Sequence, residues 1–283
     1  MHQLTNKEIL IPGNSPLKPL TADITFQAGK TNQPLVLLAH GFKGFKDWGP
    51  WPLLSEQIAS EGFCLCKFNF SFNGVVPDNL NEITDTEAFG YNNFSKELDD
   101  LDRLLHFLGQ EEQQKTFGYD FQQIYLIGHS RGGGISIIKA SEDSRIKKLA
   151  TWASVHDFSS FFSEAELMYW KTHGVIQVKN SRTGVVYPMY YQFVEDFLKN
   201  DDRFVIEKAL DKTSQPMLIV HGTNDETVNI NAAFQLKEWK PDAELHIIEK
   251  ASHTFGATHP FNQPSLPGDL ENAMRKTLDF FKA

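Results

Sequence analysis

Three residues of this chain have the types and the order that nucleophilic catalysis needs: Ser130, Asp225 and His253. A serine hydroxyl is a weak nucleophile until a base takes its proton, and the base works best when a carboxylate holds it in the right tautomer. Ser130 stands in the middle of Gly128-His129-Ser130-Arg131-Gly132. An apolar run, residues 124–127, precedes this pentad, and a helix-compatible segment, residues 135–140, follows it. Strand, sharp turn and helix with a serine at the apex is the arrangement of a nucleophile elbow. The flanking glycines leave room for the neighbouring strand and helix. The N–H of Arg131 is then expected to point at the oxyanion formed when Ser130 attacks a carbonyl. The competing reading is a glycine-rich turn that merely holds a serine, and the pentad alone does not exclude it.

The partners of Ser130 must come from other elements. Residues 217–220 read as an apolar strand that runs into His221-Gly222-Thr223-Asn224-Asp225. Residues 243–248 read as the next strand and lead to His253. The order serine, acid, histidine, each after its own strand, brings three loops to one edge of a parallel sheet. Asp157 and Glu226 compete for the role of the acid, and His246 and His259 for that of the base. His246 falls inside a strand, and His40, His129, His156 and His221 read as structural or loop histidines at strand ends. An earlier apolar strand, residues 35–39, ends in His40-Gly41-Phe42. Beside a serine nucleophile such a loop supplies the second oxyanion donor, here the N–H of Phe42, with Gly41 permitting the turn.

The remaining chain alternates strand and helix patterns. Residues 8–11 and 20–26 read as short strands, 51–60 and 95–108 as helices, and 63–68 as a strand. Residues 69–93 form a long polar loop. Glu97, Asp99, Asp100 and Asp102 on the second helix are expected to face solvent. From residue 158 to 213 the alternation stops, aromatic residues accumulate, and the spacing is helical. This predicts a core domain of residues 1–157 and 214–283 and an inserted cap of residues 158–213 over the carboxyl ends of the strands, where open α/β sheets bind ligands. Phe158, Phe162, Tyr169, Trp170 and Tyr190 are the candidate substrate-binding residues of that cap. The alternative role for such aromatics is to pack the cap onto the core.

The 283-residue chain carries a net charge of -9, which argues against nucleic-acid binding. It has no apolar run of membrane-spanning length and no signal-like start. Its two cysteines, Cys64 and Cys66, flank Leu65 on one face of a strand and read as free thiols, which predicts a cytoplasmic protein.

Four stretches together, His40-Gly41-Phe42, the Ser130 pentad, His221 to Asp225 and Ala251-Ser252-His253, make the chain resemble the α/β-hydrolase superfamily from about residue 34 onward. Within it the chain is similar to small bacterial carboxylesterases of the feruloyl or cinnamoyl type and to acylaminoacyl-peptidase-like hydrolases. The resemblance implies a mostly parallel sheet flanked by helices, ester hydrolysis through an acyl-enzyme, a small-molecule ester substrate, and no cofactor or metal. Many relatives carry Asp-x-x-Gly-x-Gly-x-Ser after the strand matching residues 63–68. Here the chain reads Asn69-Phe70-Ser71-Phe72-Asn73-Gly74, without the acid. Two other activities share these residues. A peptidase would use the same triad and anchor a charged terminus on Lys171, Lys179 or Arg182, and a non-catalytic binding protein could keep the pocket. Oligomeric state is not encoded in any of these features.

Overall fold

The computed structural model describes residues 3–15, 18–159, 163–180 and 183–283. In chain order its elements begin β1 (Leu4–Ser15), β2 (Lys18–Gln27), β3 (Gln33–Ala39), α1 (Trp51–Ser60), β4 (Cys64–Phe68), α2 (Thr86–Gly90) and α3 (Phe94–Leu108). They continue with α4 (Glu111–Phe117), β5 (Tyr119–His129), α5 (Arg131–Glu142), β6 (Ile146–Trp152), α6 (Glu164–His173), β7 (Val175–Lys179) and β8 (Val186–Tyr190). The chain ends with α7 (Gln192–Lys199), α8 (Ile206–Lys212), β9 (Met217–Gly222), α9 (Asn231–Trp239), β10 (Glu244–Ile248) and α10 (Gly268–Lys282).

Eight strands form one sheet in the order β1-β2-β4-β3-β5-β6-β9-β10. The β1–β2 and β2–β4 pairs are antiparallel, and every later pair is parallel. A parallel strand covered on both faces has no solvent side, so its residues are apolar without alternation. β3 illustrates this. Leu35, Leu37 and Ala39 join one apolar layer with Leu98, Leu101 and Ile135 of α3 and α5. Val36 and Leu38 join the opposite layer with Leu54 and Ile58 of α1 and Leu270 and Leu278 of α10. The carboxyl ends of β3, β5, β6, β9 and β10 therefore share one edge. Cys64 and Cys66 are free and buried on β4, and burial pushes both thiols above their ordinary range. Among the described residues no helix is long and apolar enough to cross a membrane.

Three expectations change. The interval between β6 and β9 is not wholly helical, because β7 and β8 pair there in antiparallel register. Val175-Ile-Gln-Val-Lys and Val186-Tyr-Pro-Met-Tyr are rich in β-branched and aromatic residues, which fit a pleated ribbon. α3 starts at Phe94, one residue before the expected range of 95–108, and Asn93 caps it, its side chain accepting from the Lys96 N–H at 2.9 Å. The carboxylates of α3 do not form one solvated face. Glu97 and Asp100 are buried, and the Asp100 carboxylate accepts from the Ser71 N–H at 2.7 Å and from its hydroxyl at 2.9 Å.

Candidate active site

The chain turns from β5 into α5 at Ser130, whose φ of 56° and ψ of -122° lie where side chains are rarely held. The turn is fixed from outside: the Ser130 N–H donates to Trp152 O at 2.9 Å, and Ser130 O accepts from the Gly133 N–H at 2.9 Å. Close approach explains the glycine that follows. A Cβ on Gly132 would fall 2.5 Å from His40 O and 2.6 Å from Ala39 O. Ser130 Oγ lies 3.0 Å from His253 Nε2, and His253 Nδ1 lies 2.8 Å from Asp225 Oδ2. The loops that carry Asp225 and His253 are tied together by the Asn224 N–H, which donates to Ala251 O at 3.0 Å.

Asp225 is buried and its carboxylate is well supplied with donors. Oδ1 accepts from the Thr227 and Val228 N–H groups, each at 2.8 Å. Oδ2 faces His253 and, at 3.2 Å, His221 Nε2. Burial favours the neutral carboxyl, but the hydrogen bonds from His221 and His253 outweigh it and hold Asp225 well below the usual carboxylate range. The competing residues have other partners. His246 Nε2 contacts Asn272 Oδ1 at 2.8 Å, and His259 Nδ1 accepts from the Gly49 N–H at 2.9 Å. The Asp157 carboxylate accepts from the Ser159 N–H at 2.8 Å and hydroxyl at 2.7 Å.

The loop after β3 runs against Ser130. A Cβ on Gly41 would fall 2.8 Å from Ser130 Cβ and 3.3 Å from its Oγ, so only glycine fits there. Phe42 follows, and its ring is covered by the Arg131 guanidinium, 4.5 Å from the ring centroid. The two expected oxyanion residues thus touch through their side chains. Arg131 is buried and paired with Glu97, which also accepts from Asn92 Nδ2 at 2.8 Å. Burial pushes the Glu97 carboxyl up and the Arg131 guanidinium down, and each partner opposes the other's shift. At the far end of the loop, Lys46 and Asp47 join Asp23 of β2 and Lys67 of β4 in a buried quartet of ion pairs. The Lys46 N–H donates to Asn69 Oδ1 at 2.7 Å, so the Asn69 amide anchors the loop. His40 lies beneath. Its Nδ1 donates to Gly41 O at 2.9 Å, and its Nε2 faces the Asn73 amide at 3.3 Å. Burial, more than any neighbour, lowers its pKa to about 4.

A cavity of about 490 Å³ opens at Ser130. Phe42, Trp48, Trp51, Val155, His156 and Asp157 contribute to its wall from the core, together with Thr227, Val228, Asn229 and Asn231 from the stretch after Asp225. From the 158–213 interval only Asn180 borders it among the described residues. The four described candidate substrate residues lie elsewhere. Phe158 is buried against Phe94, with ring centroids 4.2 Å apart. Trp170 stacks on Phe193 at 6.0 Å, and Tyr169 is exposed and stacks on His173 at 4.0 Å. The Tyr190 hydroxyl donates to Glu87 Oε2 at 2.6 Å. Phe162 lies outside the described residues, as does Arg182. Lys171 and Lys179 do not border the cavity. The aromatics pack because Phe94, at the start of α3, gathers Phe158, Phe193, Phe197 and Phe204 around one ring. Sequence reading missed Glu97 and the cavity wall after Asp225. Glu97 had a legible signal, for Glu97, Leu101, Leu104 and Leu108 repeat at i, i+4, i+7 and i+11, a buried helical stripe.

The BD-FAE family model matches residues 86–240, more than half of the 283-residue chain. The chain belongs to that family. Its fold is the α/β-hydrolase fold, which solved structures share at low identity. Est1E from Butyrivibrio proteoclasticus, solved with ferulic acid bound, superposes with a TM-score of 0.71 at 18% identity, over 97% of this chain and 98% of that one. An esterase domain from Rhodothermus marinus gives 0.60 at 19% identity, over 89% and 91%. A dienelactone hydrolase from Anabaena variabilis gives 0.64 at 16% identity, over 99% of each chain. No curated protein matches this BD-FAE family member by sequence.

Proposed function

We propose that this protein is a serine hydrolase that cleaves small carboxylic esters through an acyl-enzyme intermediate. The observation that carries this reading is the continuous hydrogen-bonded path Ser130 Oγ, His253 Nε2, His253 Nδ1, Asp225 Oδ2, with steps of 3.0 and 2.8 Å. In this reading His253 takes the hydroxyl proton as Ser130 Oγ bonds to the ester carbonyl carbon, and Asp225 stabilises the imidazolium. The backbone N–H groups of Phe42 and Arg131 receive the oxyanion. Collapse of the tetrahedral intermediate breaks the bond to the alcohol oxygen, which leaves with the proton from His253. Water, deprotonated by His253, then attacks the acyl-Ser130 carbonyl; the bond to Ser130 Oγ breaks, the acid leaves, and His253 returns the proton to Oγ.

A cavity of about 490 Å³ suits a small-molecule ester. Ferulic acid in Est1E supports an aromatic acyl group as the first to be tried. Residues 158–213 serve here as an inserted cap that contributes Asn180 to the cavity. The two free, buried thiols support a cytoplasmic setting. The test is Ser130→Ala, which is expected to lower kcat on aryl and aliphatic p-nitrophenyl esters by on the order of 10⁴-fold or more. The same substitution should abolish labelling by a serine-directed phosphonate. Undiminished turnover by the variant would refute the assignment.

A further inference from the structure

The triad reading uses one imidazole on Asp225, but the structure holds two. His221 is the next-to-last residue of β9, fully buried, with its backbone in register with Ile247 of β10. Its Nε2 lies 2.9 Å from Val228 O and 3.2 Å from Asp225 Oδ2. Both neighbours are acceptors only, so Nε2 must carry the proton. Its Nδ1 is buried without a hydrogen-bond partner among the described residues. A proton there would leave a buried donor unsatisfied, so the neutral Nε2–H tautomer is the one this site accommodates.

We propose that His221 is a positioning residue for the triad acid, its Nε2–H fixing Asp225 Oδ2 in the direction of His253. The inference rests on the proposed triad and deepens it. A carboxylate anchored only through Oδ1, by Thr227 and Val228, can still pivot about that side. The His221 Nε2–H, hydrogen-bonded to Val228 O, also lies 3.2 Å from Oδ2, and its positive end at that distance restrains the pivot. Val228 O, which accepts from His221, belongs to the residue whose N–H holds Oδ1, so one loop segment clamps both oxygens. The donor on Oδ2 also makes the carboxylate less basic, so the proton of the imidazolium formed during turnover stays on His253. The titratable groups facing this cluster are Asp225, His253 and His129. The His129 ring lies 4.9 Å from that of His253, and its Nε2 lies 2.9 Å from His253 O.

The test compares His221→Phe, which removes the donor, with His221→Gln, which keeps an N–H near the Nε2 position. In His221→Phe kcat on a p-nitrophenyl ester should fall about tenfold, the loss expected for one hydrogen bond to a charged group, with KM within about twofold. The acid limb of its kcat/KM profile should move up by about half a pH unit, because a more basic Asp225 strengthens the hold of His253 on its proton. His221→Gln should recover the position of that limb. A limb that stays in place in the Phe variant, or that Gln does not restore, overturns the proposal. A second measurement needs no variant: ¹⁵N histidine spectra of the wild-type protein should show His221 protonated at Nε2 alone, and the Nδ1–H tautomer would overturn the assignment. Phosphonate labelling separates the two readings. A wild-type protein that fails to label at Ser130 counts against the triad, whereas normal labelling with an unmoved limb counts against His221 alone.

Discussion

Glu97 offers the sharpest test of how the site is supported. Replacing it with leucine leaves the Arg131 guanidinium buried, 7% exposed, without its carboxylate. An uncompensated charge in such a place costs about 3–5 kcal/mol. Against a total stability on the order of 5–15 kcal/mol, that is enough to bring the protein near its unfolding threshold at ambient temperature. Glu97→Gln keeps the oxygen that accepts from Asn92 Nδ2 and loses only the charge, so its loss should be smaller, about 2 kcal/mol. The double variant Glu97→Leu/Arg131→Met removes both charges and should return to within about 1 kcal/mol of the parent. Urea unfolding followed by tryptophan fluorescence measures all four proteins, with midpoints compared at constant slope. Activity separates the structural from the functional role. The double variant recovers stability but not the contact of guanidinium on the Phe42 ring, so its kcat should stay at least about tenfold low while KM holds. A Glu97→Leu loss below about 1 kcal/mol would refute the reasoning. So would a double variant as unstable as the single one.

His40 gives stability a pH dependence. Its pKa is about 4 when folded and 6.5 in the unfolded reference, so between these values the unfolded chain holds the extra proton. Stability is complete above the window, falls as pH drops through it, and is lower by about 3 kcal/mol at its foot. Urea midpoints from pH 7 to 4.5 should show that slope, and His40→Gln should flatten it; an unchanged slope in the variant would remove His40 as the cause. The packing aromatics should behave unlike pocket residues. Tyr169→Ala, at an exposed position, should change stability by no more than about 0.5 kcal/mol and leave KM unaltered, whereas Trp170→Ala should destabilise by about 3–5 kcal/mol. A several-fold rise in KM for Tyr169→Ala with a good ester substrate would return that residue to the binding site.

Ser130, Asp225 and His253 were legible because each follows an apolar run, and parallel strands deliver their carboxyl ends to one edge. Sequence order alone thus brought three distant residues to within hydrogen-bonding distance. The partners of the buried ions were not legible. Glu97 meets Arg131 34 residues away, and Asp100 meets Ser71 29 residues away. A carboxylate on an amphipathic helix is solvated by default unless a partner arrives from elsewhere, and nothing local announces the partner. The aromatic interval misled for a related reason. Burial area alone does not say whether a ring faces a ligand or another ring, and Phe94, which decides it, lies more than sixty residues before most of them.

Charge is concentrated around the loop that carries Phe42. One end is held by the quartet of Asp23, Lys46, Asp47 and Lys67, where burial opposes ionisation yet Asp47 and Asp23 hold the Lys46 ammonium above its usual range. Beside Phe42 itself stands the Glu97–Arg131 pair. Apolar packing would supply comparable stability with less desolvation, because burying ions offsets most of their attraction. What ion pairs add is direction: a side chain held by hydrogen bonds of fixed geometry cannot slide as a leucine can. An oxyanion donor must sit about 3 Å from an atom that exists only in the transition state, so substrate binding cannot pull a loose loop into place beforehand. In the proposed reaction the loop that carries Phe42 has that task, and the two ion clusters, with the Asn69 and His40 hydrogen bonds, have the directionality to set its geometry.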